Sequence, residues 1–171
     1  MNDKKIDFCY QYKFIKEGKY KLKIIFKKLL KNTSWMFGDC SSLTSLDLSN
    51  FNTNNVKDMM GMFYYCTSLT SLDLSYFNTQ NVNDMNYMFY HCTSLTSLDL
   101  SNFNIQNVNY MYDVFSYCNS LSYIDISNFI VENTIYIFSG LPENCSVKIN
   151  IESNNKINTI PNSCEIELIH S

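Results

Sequence analysis

Four cysteines, Cys40, Cys66, Cys92 and Cys118, recur every 26 residues, and the sequence between them recurs with them. In register, the units read MFGDCSSLTSLDLSNFNTNNVKDM from Met36, MFYYCTSLTSLDLSYFNTQNVNDM from Met62 and MFYHCTSLTSLDLSNFNIQNVNYM from Met88, with a degenerate fourth from Val114. Self-similarity at such a period marks a solenoid, in which each small unit covers its apolar face with the next. No unit can bury that face alone, so the array needs a cap at each end. Most of the chain is thereby committed to building a surface, which leaves little of it for a catalytic centre.

Within a unit, Leu43, Leu46 and Leu48 follow the L-x-x-L-x-L spacing of a leucine-rich strand whose alternate side chains face inward. Phe51 falls where such repeats usually bury an Asn or Cys. The run Asn52-Thr53-Asn54-Asn55 is rich in side chains that bond local backbone, and it predicts a turn. Asn55, with Asp58 three residues on, predicts the capped start of a helix. Val56, Met59, Met62 or Phe63, and Cys66 then follow at spacings of three and four, as on one face of a helix. Each unit is therefore expected to be one short strand and a helix of about three turns. The expected class is α/β: a right-handed, leucine-rich-repeat-like solenoid with a short parallel sheet.

Residues 1–33 predict an N-terminal β-hairpin cap, 34–146 an array of about four repeats, and 147–171 C-terminal capping strands. The hairpin rests on the alternation of Ile6 to Phe14 and of Tyr20 to Phe26 around Lys16-Glu17-Gly18. Val147, Ile149 and Ile151 predict one closing strand, and Cys164 to Ile169 another. Charge divides along the same line: residues 1–31 carry ten of the thirteen lysines against three acids, and the remainder carries thirteen acids against three lysines. A basic tip of Lys19, Lys21, Lys23, Lys27 and Lys28 would suit nucleic acid or an anionic membrane. Lysines on an edge strand also block edge-to-edge pairing, which is the preferred reading, so nucleic acid is not the expected partner. The first residues show no apolar core of a signal peptide, and no run of 18 apolar residues predicts a membrane span.

The unit MFxxCxSLTSLDLSNFNTxNVxDM resembles the BspA-type leucine-rich repeat proteins and the related mycoplasma-type surface-protein repeats. The resemblance covers about residues 34–130 through Met36-Phe37, Cys40, Leu43 to Ser49, Phe51 to Thr53, Asn55-Val56, Met59 and their counterparts. It implies a repeat domain of cell surfaces used in adhesion or protein recognition, and it brings no catalytic residues.

The outward strand positions are expected to be Ser45, Asp47 and Ser49, then Ser71, Asp73 and Ser75, then Ser97, Asp99 and Ser101, then Tyr123, Asp125 and Ser127. The partner-binding candidates are Ser45, Asp47, Ser71, Asp73, Ser97, Asp99, Tyr123 and Asp125. Strands about 4.8 Å apart would set the four aspartates in a like-charge ladder. Neighbouring hydroxyls would support it, or it would dock a basic partner or a hard cation. The cysteines lack the C-x-x-C grammar of zinc sites and read as buried thiols. Tyr64, Tyr65, Tyr90 and Tyr117 are expected on the convex side, and His91 marks a variable surface position rather than a base. The expected function is non-enzymatic recognition of a protein partner through the Ser/Thr/Asp face, with no cofactor, metal or small-molecule substrate. An intracellular scaffold is the alternative.

Overall fold

The computed structural model describes residues 26, 28–129, 137–138, 141–150 and 164–169. Four strands are present among them: β1 (Ser97–Asp99), β2 (Tyr123–Asp125), β3 (Ser146–Asn150) and β4 (Glu165–Ile169). They form one sheet in chain order, every pair parallel, with Leu98, Ile124, Val147 and Ile166 in register. Leu98, Ile124 and Val147 are buried, as period-two alternation on a half-covered sheet requires. The expected N-terminal hairpin, with Lys19, Lys21, Lys23 and Lys27, lies outside the described residues, as do Ile151 and Pro161.

The helical half of the expected α/β class is absent: no described residue is helical. The segment from Met59 to Cys66 instead divides its backbone bonds between itself and its neighbour. The N–H groups of Met59, Gly61, Phe63 and Tyr65 donate to the carbonyls of Asp84, Asn86, Met88 and Tyr90 in the next unit, at 2.8–2.9 Å. Met62, Tyr64 and Cys66 donate to carbonyls three residues back, on Met59, Gly61 and Phe63. The same alternation links Thr33 to Asp39 with the following unit, and Met85 to His91 with the one after it. Isolated parallel bridges join Asn32, Asp58, Asp84 and Tyr110 at the start of the segment.

Two rungs in each unit have left-handed backbone: Trp35 and Asp39, Gly61 and Tyr65, Tyr87 and His91, Asp113 and Tyr117, all with φ between 53° and 62°. A residue with positive φ cannot continue a right-handed helix, so the segment is a chain of short turns. Such turns also return an apolar side chain about every third residue, which explains how the spacing mimics a helix. Asp58 does accept the N–H two residues on, from Met60 at 3.0 Å, but it opens one of these turns rather than a helix.

Packing reinforces the backbone ladder. Phe37, Phe63, Phe89 and Phe115 stack in one column, with ring centroids 5.6–6.0 Å apart and planes within 9°. Phe51, Phe77 and Phe103 form a second column. Met59, Met62, Met85, Met88, Leu69 and Leu95 belong to the same core and are fully buried. Each repeated apolar position thus becomes a column through the stack. The absence of helix among the described residues gives a direct check: backbone chemical shifts over Met59 to Cys66 are expected to be those of turns, and a helical run of shifts there would contradict the turn ladder.

Candidate functional site

The aspartate row is built into the backbone. Asp47, Asp73, Asp99 and Asp125 each accept, on Oδ1, the N–H of the serine two residues on, all at 3.0 Å. The Ser49 and Ser101 hydroxyls donate to the same oxygens at 2.7 and 2.6 Å. These are Asx turns, which end each leucine segment and send the chain toward the phenylalanine column. Hydrogen bonds from the Ser75 hydroxyl and N–H hold the Asp73 carboxyl below the usual carboxylate range. Ser45, Asp47, Ser71, Asp73, Ser97 and Asp99 are exposed, but Tyr123 is half-buried and Asp125 is buried.

Only Asp99 and Asp125 are direct partners across the sheet, and the like-charge run then stops, because Lys148 of β3 pairs with Asp125 at 3.0 Å. Burial raises the Asp125 carboxyl, yet the Ser127 hydroxyl and the Lys148 ammonium outweigh it and bring it below the usual range. The recess between Asp73 and Asp99 measures about 120 Å³, well under the roughly 300 Å³ at which small-molecule pockets begin. No metal-binding group of three or more His, Cys, Asp or Glu side chains occurs among the described residues.

The cysteine column is internal. Cys66, Cys92 and Cys118 are fully buried free thiols, each donating to the carbonyl of a phenylalanine in the preceding unit (Phe37, Phe63 and Phe89) at 3.1 Å. Burial pushes the Cys66 and Cys118 thiols up to about 12, and Cys145 to about 11, from an ordinary 9.0. Cys92 moves in the same direction for the same reason. Cys40 departs from the burial expected of the repeat cysteines: at the start of the array it has no preceding unit to cover it and is exposed.

The outward rungs of the turn ladder form a different surface. Tyr64 and Tyr90 stack at 5.2 Å with planes 11° apart, and Trp35 meets Tyr64 edge-to-face at 5.0 Å. Tyr87 meets Tyr90 in the same edge-to-face manner at 5.9 Å. Beside them, Tyr65, His91 and Tyr117 form a column, with centroids 4.2 and 5.6 Å apart. The Nδ1 of His91 is buried in that column without a hydrogen-bond partner. Trp35, Tyr64, Tyr87, Tyr90 and Asp113 enclose an open cleft of about 370 Å³. Sequence reading had the tyrosines on an outer face but missed Trp35, Tyr87 and Asp113 as their neighbours. The missed signal is positional: Trp35, Gly61, Tyr87 and Asp113 occupy one repeat position, and it is among the few that change in every copy.

A protein-family model described as "Mycoplasma protein of unknown function, DUF285" matches residues 31–153. The chain belongs to this family. The match takes in all the DUF285 units from the first turn ladder through β3, so the columns described above lie within it. No curated protein and no solved structure matches the chain. Among the described residues, no helix is long and apolar enough to cross a membrane.

Two outcomes follow for this DUF285 chain. Because folding raises the buried thiol values, the unfolded chain ionises first; the resulting stability is complete below about pH 9 and is lost as pH climbs toward the folded values. Denaturant melts at rising alkaline pH are expected to show this loss, and a Cys66→Ala, Cys118→Ala variant should show a shallower slope; equal slopes would reject the thiol origin. The second outcome concerns His91. His91→Tyr would restore the ring found at Tyr65 and Tyr117, which share its left-handed backbone, and would remove the orphaned nitrogen. A gain of about 1 kcal/mol is expected in thermal or denaturant melts, and a loss would contradict the packing.

Proposed function

We propose that this chain is a non-enzymatic recognition module, a solenoid of the BspA-like leucine-rich kind suited to adhesion or protein binding, and that its contact surface is the aromatic face of the turn ladder. The observation that carries this reading is where the copies differ. The Asp–Ser row is nearly the same in every unit and each carboxylate ties down its own turn. The outward ladder positions change instead, reading Trp35, Gly61, Tyr87 and Asp113 in one column and Asp39, Tyr65, His91 and Tyr117 in the next. Repeat proteins bind through surfaces that stacking makes continuous. Exposed Tyr and Trp are the residues most enriched at protein interfaces.

Backbone strain supports the same face. Bulky residues in left-handed conformation cost about 1 kcal/mol or more each, and such residues gather where a surface has a task beyond packing. A cell-surface setting is the companion proposal, resting on the repeat resemblance alone.

The test compares two double variants as immobilised baits for cell-surface protein extracts, each first checked for native melting. Tyr64→Ser with Tyr90→Ser is expected to lose the partners that the wild type captures, and Asp73→Ser with Asp99→Ser to keep them. The opposite pattern would return the contact surface to the Asp–Ser row. Capture that survives both changes would reject both faces.

A further inference from the structure

The aromatic cleft has a composition that selects its occupant. Gly61 stands in the column between Trp35 and Tyr87, where a side chain would fill the space. A Cβ there would lie 2.7 Å from the Trp35 ring, so the missing side chain is what lets the indole lie down beside Tyr64. The indole takes the space that a side chain at position 61 would fill, and Trp35, Tyr64, Tyr87, Tyr90 and Asp113 line the open cleft beside it. Its rim carries one charge, Asp113, whose Oδ1 accepts the Ser116 hydroxyl at 2.8 Å. Burial raises the Tyr64 phenol, and the neighbouring Tyr65 and Asp39 raise it further. No described lysine is paired with Asp39 or Asp113; the one ion pair among the described residues joins Lys148 to Asp125.

We propose that this cleft binds a quaternary ammonium group, with the Trp35, Tyr64, Tyr87 and Tyr90 rings around it and the Asp113 carboxylate balancing its charge. Aromatic faces carry negative electrostatic potential and attract cations, with tryptophan the best of them. A primary ammonium brings N–H donors that need oxygen partners, and the cleft offers it one carboxylate and a few phenols. A methylated ammonium needs none and presents methyl groups that pack on rings. Cleft size agrees, since about 370 Å³ is at the small end of the roughly 300–1,000 Å³ range for small-ligand sites. The proposal rests on the recognition reading above in that it gives the aromatic face a ligand chemistry.

Trp35 is the only tryptophan in the chain, so its fluorescence reports on the cleft directly. The full chain is titrated with choline, with its neutral isostere 3,3-dimethylbutanol, and with ammonium chloride, all at matched ionic strength. A saturable fluorescence change with choline is expected, and at least about tenfold weaker binding of the other two. Asp113→Asn keeps the left-handed backbone, which Asn tolerates, and is expected to weaken choline several-fold with an unchanged melting curve. Tyr87→Asn, at another left-handed position, is expected to weaken it further. Equal response to choline and the neutral isostere would reduce the cleft to an apolar patch and overturn the proposal. No saturable response to choline would overturn it as well. Neither result touches the recognition reading, which stands or falls on the bait comparison with the Tyr64 and Tyr90 variants.

Discussion

Everything else in this structure depends on an alternation in the backbone: one N–H turns back three residues within the unit, and the next reaches the unit beyond. Buried backbone groups must be paired, and here half of the pairing for each turn segment comes from a neighbour. That ties the 26-residue period to the ladder: equal units bring the donors of Met59, Gly61, Phe63 and Tyr65 into step with the carbonyls of Asp84, Asn86, Met88 and Tyr90. The phenylalanine and methionine columns are then a consequence of register, because equal spacing brings equal side chains together. The thiols follow the same rule, each bonded to a phenylalanine carbonyl in the preceding unit.

This backbone divides its two sides between different tasks. On the leucine side, Asp47, Asp73, Asp99 and Asp125 hold the N–H groups that let the chain turn. Changing one of them removes a charge-assisted hydrogen bond, so variation there costs stability. On the ladder side the rungs are held between units by backbone atoms, with Asp58 and Asp84 also accepting the N–H groups of Met60 and Asn86. Their outward side chains are free to differ, and they do, from Trp35 to Gly61 to Tyr87 to Asp113. Stacked rings bridge the differences where neighbouring copies are both aromatic.

Much of the fold was legible in the sequence, and its main error has a definite cause. The period, the buried apolar positions, the internal thiols and the parallel sheet all follow from repetition and from side-chain hydrophobicity. The helix did not form because hydrophobic spacing records which residues are buried but not where their N–H groups point. Val56, Met59, Met62 and Cys66 satisfy a helix and a run of three-residue turns equally well. Two signs favoured turns: the chain contains no Ala, the best helix former, and the ladder positions include Gly61, Asp39, His91 and Asp113. Asp and His are enriched at positive φ, and Gly is at home there. The Asn-rich loops were legible as turns, and Asn52, Asn78 and Asn104 each accept the N–H two residues on. The cleft was not legible, since it needs two columns side by side, and sequence gives the order within a column without saying which columns are adjacent.

The ladder also shows what its backbone prefers. Gly61 occupies a left-handed rung at no steric cost, and glycine at every equivalent position would relax the stack. Trp35, Tyr65, Tyr87 and Tyr117 occupy such rungs instead, each at a cost of about 1 kcal/mol or more. Stacking returns part of that cost for Tyr65 and Tyr117, yet Trp35 and Tyr117 remain about half exposed. Packing alone therefore does not account for large rings on strained, outward positions. That strain is kept on the variable side of the stack and is relieved by a glycine only where the Trp35 indole lies down, and it is on this residue of unexplained strain that the proposed contact surface rests.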